Sequence, residues 1–138
     1  MSGWFDDNGM GTTEALDLVK DWPAGTWKTI LGPWKHSGNA DYDIHGIYMG
    51  EDALRYDMDI NCFKWLEHFL KGKENGIEKT PAVEYYTVGE NTWKTASQWP
   101  PEEANASVLY FDGDNTSAAG NGTCCGGGTL SGKCPANN

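Results

Sequence analysis

Apolar residues recur at helical spacing in two stretches of this chain, with β-like runs between and after them. The first helical stretch covers residues 10–22. Ala15, Leu16, Val19 and Trp22 share one face, Thr12 or Thr13 is placed as a cap, and Glu14 suits a first turn. Pro23-Ala24-Gly25 closes it with turn chemistry. Thr26 to Leu31 is a β-like run that Gly32-Pro33 stops, so Trp34-Lys35-His36-Ser37-Gly38 becomes a loop at the carboxyl end of a strand. Residues 39–50 are irregular and polar. A longer helix is predicted over 51–71, where Leu54, Met58, Cys62, Trp65, Leu66, Phe69 and Leu70 keep helical spacing and Gly72 stands as the C-cap.

After a polar linker holding Asn75-Gly76 the pattern turns to β: residues 83–88, a turn at Gly89-Glu90-Asn91, then 93–99, a break at Pro100-Pro101, and a last run over 108–111. From Asp112 the chain is Gly, Asn, Ser and Thr with almost no apolar content, a composition that cannot offset its own ordering entropy. The expected organisation is an α/β part over 1–78, an incomplete β-sandwich over 79–113, and a Gly/Asn-rich disordered tail over 114–138. A sandwich or barrel needs about seven or eight strands, so the β part reads as cut short. The abrupt start at Gly3-Trp4-Phe5-Asp6 reads the same way.

Charge narrows the function. A formal net charge of −10 argues against nucleic acid, which requires a basic surface to displace counterions, and against docking on an anionic membrane. No apolar run approaches the roughly 20 residues that span a bilayer. Cys62 is expected as a small buried hydrophobe within the second helix. Cys124, Cys125 and Cys134 in the tail fall short of a four-ligand zinc set, and no metal site is expected. A bridge to Cys134 and the compartment stay open.

Asp6 and His36 are the residues suited to catalysis. Histidine exchanges a proton near neutral pH, and a carboxylate on its second nitrogen fixes the tautomer and stabilises the imidazolium. One helix and one strand separate the two, a spacing that returns an α/β chain to the same sheet edge, where such sheets place their chemistry. The plainer alternative is a turn-capping Asp6 or Asp7 and an ordinary loop histidine. His45 and His68 are read as structural. Asp57 to Asn61 resembles the start of a calcium loop, but Cys62 stands where glycine is needed, so a solvated helix face is expected.

Gly3-Trp4-Phe5-Asp6, Leu31-Gly32-Pro33-Trp34-Lys35-His36, and Cys62 to Gly72 with its Trp65-Leu66-Glu67-His68-Phe69-Leu70-Lys71-Gly72 ending resemble, in that order, the X-prolyl dipeptidyl-peptidase and cocaine-esterase-like family. That family includes α-amino-acid ester hydrolases and glutaryl acylases. Pro81-Ala82-Val83, Tyr86 to Gly89, Trp93-Lys94 and Trp99-Pro100-Pro101 extend the likeness to about residue 113. The resemblance implies the C-terminal piece of an α/β-hydrolase domain followed by the start of a β jelly-roll domain. Asp6 would be the triad acid, His36 the triad histidine, and Trp4 and Trp34 walls of the substrate pocket; no cofactor is implied.

In this fold the serine precedes the acid, so it is expected N-terminal to Asp6 on a segment this chain lacks. No serine here sits in a Gly-x-Ser-x-Gly elbow: Thr129 and Lys133 flank Ser131, and Lys35 precedes Ser37. The expected function is therefore a serine-hydrolase fragment, inactive alone, whose intact enzyme cleaves a small ester, amide or peptide. Alternatives are a Trp-rich β-sandwich binding module or a truncated reading frame. Its open sheet edges and apolar helix faces predict a marginal or oligomeric chain.

Overall fold

The computed structural model describes residues 1–7, 9–112 and 129–132. They fall in two compact units, Met1–Glu102 and Glu103–Asn138. Along the first run β1 (Ser2–Gly3), α1 (Gly9–Val19), β2 (Thr29–Gly32), a small hairpin of β3 (Asp43–Ile44) and β4 (Ile47–Tyr48), α2 (Met58–Lys71), β5 (Val83–Thr87) and β6 (Thr92–Ala96). The second contains β7 (Tyr110–Asp112) paired antiparallel with β8 (Thr129–Ser131).

One four-stranded sheet, ordered β1-β2-β5-β6, organises the first unit. β1 and β5 both run parallel to β2, with Ser2 opposite Leu31 and Thr29 opposite Val83; β6 returns antiparallel on β5. All four residues of β2 are buried, as the central strand of a covered parallel sheet should be. Tyr86 of β5 packs with Ile44, Met49 and Ala53, so the stretch between β2 and α2 folds back to close the core.

Several expectations change against this frame. The predicted helix over 51–71 is split: Glu51–Ala53 makes one 3₁₀ turn, Leu54 is extended, and α2 starts at Met58. The physical cause is Asn39, whose carboxamide takes both the N–H and the C=O of Arg55 out of any helical ladder. Gly72 does cap α2, left-handed at φ 65°, with its N–H donated to His68 O. Thr12 and Thr13 lie inside α1 rather than at its start, and of the face predicted for it only Leu16 is buried.

Cys62 is exposed, not buried, because α2 buries none of its residues. The expected boundary at 78/79 falls within the first unit, since β5 finds the open edge of β2 and continues the same sheet. Within the stretch expected to be disordered, Thr129–Ser131 forms β8; apart from Gly132, the rest of that tail, with Cys124, Cys125 and Cys134, lies outside the described residues.

Candidate active site

Two parallel strands ending in register build the site. Gly3 stands opposite Gly32 at the carboxyl ends of β1 and β2. Pairing continues past the strands through Trp4 N–H to Gly32 O at 2.9 Å and Phe5 N–H to Trp34 O at 3.0 Å. Both glycines are needed for close approach. A Cβ on Gly3 would meet Trp34 O at 2.0 Å, and one on Gly32 would meet the Trp34 indole at 2.3 Å. Asp6 follows in a turn closed by its N–H on Gly3 O at 3.2 Å. His36 sits in the turn Lys35 to Gly38, closed by Gly38 N–H on Lys35 O at 2.9 Å, with Gly38 at φ 79°.

The two side chains meet. His36 Nδ1 lies 3.2 Å from Asp6 Oδ1, across 30 residues of sequence. The Asp6 side chain is 13% exposed and the imidazole 78%, so the acid is sheltered and the base presented. A carboxylate on Nδ1 leaves Nε2, across the ring, for a reacting group. Asp7 adds a second carboxylate 3.8 Å from the same nitrogen. Ligand atoms of Asp6, Asp7 and His36 lie within 4.8 Å of one another, so these are the residues that could hold a cation.

Trp34 and Trp4 part company. Trp34 lines a cavity of about 140 Å³ together with Asp6, His36 and Asn39. It is nonetheless 2% exposed, its Nε1–H donates to Ala53 O at 2.8 Å, and its ring packs 5.7 Å from that of Trp93. Trp4 instead lines a separate groove with Tyr85 and Trp99, its Nε1–H donating to Tyr86 O at 2.8 Å. The structure therefore brings one of the two indoles to the acid–histidine pair.

Around the far end of the His36 loop lies an ion network. Arg55 donates to both carboxylate oxygens of Asp57 and to Glu84, stacks 4.8 Å over the Trp93 ring, and shares Glu84 with Lys28. The hydrogen bonds from Arg55 hold Asp57 below the ordinary carboxylate range, against the opposing effect of burial. Burial pushes Glu84 up, but the hydrogen bonds from Lys28 and Arg55 outweigh it and the net direction is down. Asp57, first residue of the calcium-like stretch, is thus engaged by an arginine. Asn39 and this network were not foreseen in the sequence, because nothing local marks Asn39 as the partner of a residue 16 positions away. His45 occupies the β3–β4 turn at φ 53°, and His68 Nδ1 lies 3.0 Å from Lys73 O at the end of α2.

Comparison with known proteins bears on what such a pair does. No family model matches the chain. Proteins of Mycobacterium bovis and Mycobacterium tuberculosis, named as serine esterases by assignment, are each 33% identical over 114 residues, 82% of this chain and 17% of theirs. The cocaine esterase of a Rhodococcus species is 27% identical over 136 residues, 94% of this chain and 22% of its own. These likenesses support an esterase-like hydrolase family. The chain spans about a fifth of the length of these relatives. In structure it is similar to an aminopeptidase from a marine-sediment Thaumarchaeota archaeon, with a TM-score of 0.62 at 23% identity over 80% of this chain and 21% of the other. That likeness speaks for a shared mixed α/β fold.

Proposed function

We propose that Asp6 and His36 are the acid and the base of a Ser-His-Asp triad in an esterase-like serine hydrolase. The observation that carries this reading is the 3.2 Å approach of a sheltered carboxylate to Nδ1 of an exposed imidazole, at the ends of two parallel strands. Asp6 holds the ring with Nδ1 protonated, and Nε2 takes the proton of a serine hydroxyl as that oxygen attacks the acyl carbon. The same nitrogen returns the proton to the leaving alcohol or amine, and a water activated in the same way releases the acyl group. Acyl esters come first among the substrates, since relatives named for esterases match; α-amino-acid esters, X-Pro dipeptides and side-chain amides follow.

The serine belongs, on this reading, to a segment N-terminal to Asp6 in the intact enzyme, and the chain by itself turns nothing over. The accompanying fold is the C-terminal piece of an α/β-hydrolase domain leading into a jelly roll. Trp34, against the cavity, is the better candidate of the two indoles for a pocket wall. The test is p-nitrophenyl acetate hydrolysis with a fluorophosphonate probe, on this chain alone and on the chain joined to a serine-bearing segment. Alone, no labelling and no His36-dependent turnover are expected. Joined, turnover is expected to fall at least about a thousand-fold in His36→Ala. Probe labelling of a serine in the isolated chain would overturn the assignment of the nucleophile. A joined enzyme indifferent to His36→Ala would overturn the triad.

A further inference from the structure

We infer that Asn39 is a positioning residue for His36, acting through the main chain of Arg55; this rests on the triad reading above. His36 is carried on a turn, and a turn alone does not fix an imidazole to the tolerance that proton transfer requires. Here the turn is braced from both sides by one short segment. Before it, Trp34 Nε1–H donates to Ala53 O at 2.8 Å. After it, the Asn39 carboxamide accepts from Arg55 N–H at 2.8 Å and donates to Arg55 O.

The bracing segment is itself held. Trp93 Nε1–H donates to Asp52 O at 2.7 Å, and the Arg55 guanidinium is tied to Asp57 and to Glu84 on β5. Glu84 stands opposite Ile30 of β2, the strand that leads into the His36 turn. Asn39 thus closes a loop of contacts from β2 through His36 and Arg55 to β5. Two hydrogen bonds of opposite polarity to the main chain of one residue, on the two peptide groups that flank its Cα, fix both distance and orientation, which a single bond does not. Without them the turn keeps Trp34 before it and the exposed Lys35–Asp41 ion pair across it, but loses its bond to Arg55, and His36 can leave Asp6.

The tautomer of neutral His36, read from its ring ¹⁵N shifts in the folded chain, tests this. Unassisted imidazole favours the Nε2–H form, whereas a carboxylate on Nδ1 favours Nδ1–H. Wild type is expected mostly as Nδ1–H, and the double variant Asp6→Ala/Asp7→Ala as Nε2–H; failure of that contrast would sink the triad reading itself. Given the contrast, Asn39→Ala is expected to lose at least about half of the Nδ1–H population. Val83→Ala, a core truncation on β5, should lower the melting temperature and leave the tautomer alone. An unchanged tautomer in Asn39→Ala would overturn the inference. Should that variant fail to fold, Asn39→Asp keeps the acceptor for Arg55 N–H and loses the donor to Arg55 O. A fall in Nδ1–H there supports the clamp, and none overturns it.

Discussion

Gly3 abuts the carbonyl of Trp34, so that a Cβ at position 3 would lie 2.0 Å from that oxygen. The carbonyl cannot swing aside freely, because it also accepts from Phe5 N–H in the pairing that delivers Asp6 to His36. Gly3→Ala is therefore expected to cost about 2–3 kcal/mol by overpacking, and to separate the acid from the histidine. Gly11→Ala is the contrast. Its Cβ meets nothing within 4 Å and stands in α1, where alanine is favoured over glycine by about 0.5–1 kcal/mol. Circular-dichroism melts should move down for the first and hold or rise for the second; a Gly3→Ala melt at the wild-type temperature would mean β1 is not docked on β2.

The Glu84 carboxylate, shared by Lys28 and Arg55, gives stability a defined pH dependence. Its folded value lies below its unfolded one. The contribution is therefore fully present above the unfolded value of about 4.3 and is lost as pH falls through the depressed folded value. Asp57 acts in the same direction, its contribution lost as pH falls below its own unfolded value of about 3.9 and through its depressed folded value. Urea denaturation between about pH 3 and pH 7 should show stability falling on the acid side. Glu84→Gln should flatten that slope and cost about 3 kcal/mol at neutral pH, since it leaves the largely buried Lys28 ammonium without its counter-charge while Arg55 keeps Asp57. An equally steep slope in Glu84→Gln would remove this carboxylate from the account.

Trp34→Phe separates packing from substrate contact. It keeps an aromatic ring near Trp93 but leaves Ala53 O without its donor, at a cost of about 1–2 kcal/mol. Equilibrium unfolding should register this loss in the isolated chain. In the chain joined to a serine-bearing segment, a rise in KM beyond that of Trp4→Phe is expected if the indole also walls the pocket. Equal KM values would leave Trp34 a packing residue alone.

The parts of this molecule that were legible in the sequence are those set by neighbours along the chain. Gly72 caps α2 because only the local left-handed turn is at issue, and Asp6 and His36 meet because each follows its strand by a few residues. What was missed depends on long-range pairing. Arg55 interrupts the predicted helix only because Asn39 captures its main-chain N–H and C=O, and residues 83–87 join the first sheet only because β2 offers them an edge. Helical periodicity at Cys62 and Leu66 correctly marked an apolar face but could not tell whether anything in this unit covers it.

That face carries the last prediction. Phe63, Leu66 and Leu70 lie along one side of α2 and are 68%, 50% and 76% exposed. Leu66, together with Cys62 and Trp65, also borders an apolar depression of about 290 Å³. A contiguous apolar patch of this kind drives association in water, so the isolated chain is expected to self-associate, with Cys62 open to iodoacetamide only to the extent that association leaves it bare. Phe63→Lys/Leu70→Lys charges the patch without touching the buried core. It should therefore lower the mass seen by light scattering while leaving the melting temperature nearly unchanged, since neither side chain is packed in the monomer. Alkylation of Cys62, mapped by mass spectrometry, should accelerate in the double variant. A wild-type chain that runs as a monomer with a sharp cooperative melt would show that the exposed face of α2 is tolerated in water, and that no second surface is needed to shelter it.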